Sequence, residues 1–153
     1  MFQSFFPQPK LFFSSLALWS GILILVWYSF GKTIGESLGF DLAETETVIG
    51  LGHFITSEFL WFDTFFAFGA LAFFFVWRSR SPHEWQVWSV LGSALLIYLS
   101  YASVQVSVVI NAWYGPFYND IQTALTGDGG ITASDLYGHF LVFCTIAFPY
   151  ISF

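Results

Sequence analysis

The sequence predicts an all-α membrane protein whose helices cross the bilayer several times. Three observations carry that expectation. Uncharged apolar runs of helix-spanning length recur along the chain. Hydrophobic residues make up 56% of it and charged residues only 9%, where a soluble domain carries roughly 25% charge. Trp and Tyr cluster at the ends of the runs, as in the aromatic belts of membrane helices. With 21 Phe and 7 Trp among 153 residues, the apolar surplus exceeds what one water-soluble core of this size can bury. A soluble enzyme, a disordered tail and a collagen-like chain are excluded. The lone Cys144 excludes a disulfide framework and a cysteine-based zinc site.

The first run covers about residues 11–30. About 20 such residues cross a bilayer as a helix, and Pro7 and Pro9 prevent an earlier start. The run is too long for a cleaved signal peptide, and it lacks a small-residue cleavage site. Residues 31–57, with Glu36, Asp41, Glu44 and Glu46, read as a loop with short helical turns. The second span, about 58–77, is nearly solid Phe, Leu and Ala, and Trp61 and Trp77 are read as its interfacial anchors. Arg78, Arg80 and Pro82 end it. The third run, about 85–110, exceeds a minimal span and is expected to tilt or protrude. Residues 112–137, with Asp120, Asp128, Asp135 and the 127–130 stretch, read as a second acidic loop. A fourth run, 138–153, is short for a span, and Pro149 interrupts it.

The bases set the orientation. Lys10 precedes the first span, and Arg78 and Arg80 lie between the second and third. Positive-inside places the N-terminus and the 78–85 loop in the cytoplasm, and both acidic loops outside. Lys32 is the one mild exception. Four bases make no basic patch, so no nucleic-acid partner is expected. No internal repeat is visible, and residues 1–153 read as one incomplete transmembrane domain.

Several residues are candidates for chemistry. Asp63 should lie roughly 8 Å inside the outer boundary, where an ionisable group faces protein or water. It reads either as a proton-coupling or cation-attracting site, or as an acid reaching the outer water layer. Glu58 reads as the latter. Ser93, Ser100, Ser103, Ser107 and Asn111 share one helical face, which either packs on another helix or lines a cavity. Gln105 points away from that stripe. Its amide needs a partner inside the membrane, on a neighbouring helix or in a substrate cavity. In Asn111–Leu125, Trp113, Tyr114, Phe117, Tyr118 and Ile121 recur at helical spacing around Pro116. They form either an interfacial belt or an aromatic wall along a peptide path. Phe62 joins Asp63 as a candidate on the second span. Gly31-Lys32-Thr33 fails as a phosphate loop, because Val26 stands where a Gly is needed. His53, His83 and His139 fall in three segments without ligand spacing. No metal, cofactor or catalytic constellation is expected, and the chain does not read as an enzyme.

Three stretches carry a resemblance. Met1-Phe-Gln-Ser-Phe-Phe-Pro-Gln-Pro-Lys10, Ser81-Pro-His-Glu-Trp-Gln-Val-Trp-Ser-Val-Leu-Gly-Ser-Ala-Leu-Leu-Ile97 and Asn111–Leu125, with its WYGPFY core, resemble the SbmA/BacA peptide-antibiotic transporters. The resemblance implies a fold like the transmembrane domain of ABC exporters, with an extra N-terminal helix and no nucleotide-binding domain. It implies a homodimer in the bacterial inner membrane that imports antimicrobial peptides on the proton gradient. Proline-rich peptides, microcins and bleomycin-like compounds are the substrate types. The partners implied are the lipid bilayer, peptide substrates and a second copy; the cofactors implied are none. The chain resembles roughly the first third of family members, and the match is expected to fade after Ala147. Gln105 stands where the family admits a carboxylate and cannot itself titrate. Ile55 replaces an expected aromatic, and Asp63 reads as a local substitution. The alternative is a small non-transporting membrane protein or a truncated remnant.

Overall fold

A computed structural model describes residues 8–43, 48–127 and 130–152. Glu44, Glu46, Asp128, Phe153 and the first seven residues of the N-terminal family-like stretch lie outside the described residues. The architecture is all-α, with no strand among the described residues. Helix α1 is Pro9–Ser37, a 3-10 turn covers Leu51–Ile55, and α2 is Ser57–Arg80. A π-helical segment, Val87–Gly92, runs directly into α3, Ser93–Thr126, and α4 is Ala133–Ser152. Three of these helices are long and apolar enough to cross a membrane: α1, α2 and the continuous Val87–Thr126 helix. The apolar part of α4, Ala133–Phe148, is shorter.

The helices overrun the expected spans, and each overrun has a local cause. Pro9 occupies the first turn of α1, where its missing N–H costs no helical bond. At the other end the helix takes seven residues of the expected loop and stops at Gly39. There φ is +95°, the left-handed geometry that favours Gly. Phe40 N–H donates to the Gly35 carbonyl and Gly39 N–H to the Glu36 carbonyl, both at 3.0 Å, which closes the last turn.

The larger correction concerns residues 112–126, expected as loop and found as helix. Pro116 lies inside α3 and removes one backbone bond without ending it. The 40 residues from Val87 to Thr126 extend roughly 60 Å, about twice the hydrocarbon thickness of a bilayer. The helix is therefore longer than one crossing requires. Likewise Pro149 does not end α4, which continues to Ser152.

The chain divides into two compact units. The first comprises residues 1–43 and 57–97, and antiparallel packing of α1 on α2 organises it. Three indole N–H groups join the two helices. Trp77 donates to Ser15 Oγ, Trp19 to the Gly69 carbonyl and Trp61 to the Gly31 carbonyl, each at 3.0 Å. Trp61 is only 4% exposed, so the expected interfacial anchor is in fact an interhelical strut. Its indole passes so close to Gly35 that a Cβ there would sit 2.9 Å from Nε1 and 2.6 Å from Leu42 Cδ1. Small residues permit this approach of membrane helices. Phe12, Phe73, Phe74 and Val90 form the unit's core, flanked by Trp19, Trp77 and Leu91. A cavity of about 210 Å³ opens beside it, lined by residues such as Leu16, Leu23, Phe66, Ala70 and Ser93.

The second unit comprises residues 44–56 and 98–153. Val106 and Val109 of α3 pack on Ile146 of α4, with Phe54, Ile110 and Val142 around them. Val109 and Ile146 are fully buried. The buried positions Val106, Val109 and Trp113 follow helical spacing and define the face of α3 that meets α4.

Candidate functional site

The predicted residues fall into both units. Phe62 and Asp63 belong to the first. The Phe62 ring meets Trp27 of α1 edge-on at 5.5 Å and stacks on Phe66 at 6.2 Å. Asp63 is half-buried, with one carboxylate oxygen inside the protein. Neither residue lines the 210 Å³ cavity.

Gln105, Asn111, Trp113, Tyr114, Phe117 and Tyr118 belong to the second unit. Gln105 is half-buried, and its Oε1 accepts from His53 Nε2 at 3.0 Å. Its partner is thus the 3-10 turn and not a spanning helix. The stripe Ser93, Ser100, Ser103, Ser107 and Asn111 is exposed along its whole length. Ser93 and Ser107 turn their hydroxyls back onto the Ser89 and Ser103 carbonyls, the local bonding that lets such residues sit on a membrane helix.

The C-terminal part of α3 meets the start of α4 in an aromatic cluster. Four-residue spacing aligns Trp113 over Phe117 at 4.5 Å and Tyr114 over Tyr118 at 5.8 Å, both stacked. Trp113 is 4% exposed. Its ring packs on Phe143 of α4 at 4.9 Å, and its N–H donates to the His139 carbonyl at 2.9 Å. Phe117 meets His139 and Phe140 edge-on. Tyr114 and Tyr118 stay exposed. The segment is therefore two-sided: Trp113 and Phe117 fasten α4, while both tyrosines and Asn111 face outward.

A titratable pair closes the cluster. His139 Nε2 donates to Asp120 Oδ2 at 2.8 Å, and both side chains are partly exposed. Sequence reasoning weighs the histidines only as metal ligands and misses this pair. The available signal is the loop itself. Once 112–126 is helix, Phe117 and Asp120 lie three residues apart on one face, toward the start of the next apolar run. Asp135 lies in the first turn of α4. Thr132 donates to its carboxylate through the backbone N–H and the hydroxyl, both at 2.8 Å. These bonds, aided by the charge of His139, hold the Asp135 carboxyl below the usual carboxylate range. The carboxylate on the Thr132 N–H is one half of a capping box at the start of α4.

Residues 82–153 match the sequence model of the SbmA/BacA-like family. The match covers just under half of the chain. It takes in the π segment, α3 and α4, and so Gln105 and the whole aromatic cluster. It runs through to Phe153, past Ala147, where the resemblance is expected to fade. Phe62 and Asp63 precede it.

Proposed function

We propose that the chain is the N-terminal part of a homodimeric transporter that imports antimicrobial peptides across the bacterial inner membrane on the proton gradient. The family match over residues 82–153 carries this reading. The exposed Tyr114 and Tyr118 beside the outward-facing serine stripe support it. Aromatic faces suit Pro and Arg side chains, which stack on them. The acidic loops raise the local concentration of a cationic peptide. The N-terminus and the 78–85 loop lie in the cytoplasm, so the 112–126 part of α3 meets the peptide first. Two protomers enclose a cavity that alternates between outward-open and inward-open packing, and proton uptake favours the inward-open state. No enzymatic step and no cofactor is assigned.

The test is uptake of a fluorescent proline-rich peptide by bacteria that lack their own peptide importer and express the complete reading frame containing this chain. Uptake abolished by a protonophore, and reduced about tenfold by a joint Tyr114→Ala and Tyr118→Ala change, supports the reading; the loss corresponds to about one stacking contact. Uptake equal to that of the empty strain overturns it in favour of a non-transporting membrane protein. Reporter fusions at residues 81 and 127 test the orientation separately.

A further inference from the structure

One polar contact between α3 and α4 can change its charge near neutral pH. His is the side chain that ordinarily titrates between about pH 5 and 8. His139 is held by two bonds of different kind. Its backbone carbonyl accepts the Trp113 N–H at 2.9 Å, a bond without a titratable group. Its ring N–H meets Asp120 at 2.8 Å, a bond that becomes a full ion pair once the ring is protonated. The edge of Phe117 covers one side of the ring and keeps the pair partly screened from solvent. We propose that Asp120 and His139 form a protonation-controlled clamp that tightens the start of α4 onto the C-terminal part of α3 as pH falls.

The other charged and titratable groups in this unit do not duplicate the contact. On α4, Asp135 is one turn before His139 and is occupied by Thr132. On α3, the Tyr114 and Tyr118 phenols are exposed. The 3-10 turn also packs on α4, through Phe54 and Val142. Its His53 is bonded to Gln105, about 22 Å along α3 from Asp120. This inference goes beyond the transport reading and does not depend on it.

The experiment uses the full chain in nanodiscs. Spin labels are placed at Leu125→Cys and Tyr137→Cys, both strongly exposed positions, in a Cys144→Ser background. A charge-assisted bond is about twice as strong as a neutral one. The short-distance population should therefore rise about fivefold relative to the open one between pH 8 and pH 5. Asp120→Asn and His139→Gln, which keep a hydrogen bond but no switchable ion pair, should flatten the profile. The distance change should share its midpoint with the His139 ring titration, read by NMR on histidine-labelled protein. A pH-independent distance overturns the proposal. So does a profile that survives Asp120→Asn, or a midpoint that follows His53 or His83. If Asp120→Asn does not fold, the midpoint comparison in the unsubstituted pair decides alone.

Discussion

The two units are held together by different chemistry. In the first, α1 and α2 are joined by indole N–H groups bonded to backbone carbonyls and a serine hydroxyl, with Gly at the close approach. Those bonds contain no titratable group. In the second, α3 and α4 share an apolar core capped by an aromatic cluster and a His–Asp pair. The difference follows the solvent. Inside a bilayer an ionisable pair is expensive, and Trp with Gly supplies polar contacts without charge. At the end of α3 the His–Asp pair is partly exposed, so a charged contact there can be hydrated.

The largest way to break the comparison is at Trp113, which both packs and bonds across α3 and α4. Trp113→Ala should destabilise the second unit by about 3 kcal/mol. Unfolding in mixed detergent micelles, followed by far-ultraviolet circular dichroism, should show it. The equivalent cut in the first unit is Gly35→Val. The added atoms displace the Trp61 indole and with it the bond to Gly31, at a cost of about 2 kcal/mol. Trp61 fluorescence should shift in a protein that keeps the other six Trp residues as Phe. A smaller effect isolates the bonds themselves. Trp19→Phe keeps the ring and removes the donor to Gly69, and should cost about 0.6 kcal/mol, as membrane hydrogen bonds typically do. That loss should be the same at pH 5 and pH 8, in contrast to any loss at His139.

The smallest effect tests Asp135. Its carboxyl titrates lower in the folded chain than in the unfolded one. The capping contribution is therefore complete above the ordinary Asp value of about 3.9. It fades as pH falls through the depressed folded value. Amide exchange at Asp135 and Leu136, whose N–H groups reach the Thr132 carbonyl, should accelerate only below that range. Asp135→Asn should remove the pH dependence while leaving Val109 and Ile146 protected.

Much of the molecule is legible in the amino-acid order alone. The apolar runs locate the spanning helices because the length needed to cross a bilayer is fixed. Helical spacing puts Trp113 with Phe117 and Tyr114 with Tyr118. It also separates Gln105 from the serine stripe. The departures share one source. Polar and Pro-containing residues suggest a loop at 112–126, although a helix outside the bilayer tolerates both once a neighbouring helix packs on it. Trp61 suggests a headgroup anchor, because composition places an indole near a boundary without saying where its N–H points.

The sequence by itself determined the all-α architecture and the approximate apolar spans, because these depend on local composition and periodicity. Only the tertiary structure decided that Trp61 reaches Gly31, that His53 meets Gln105 and that His139 meets Asp120. Each of those contacts joins residues distant along the chain. Their partners are set by which helix faces pack together, and no single helix carries that information.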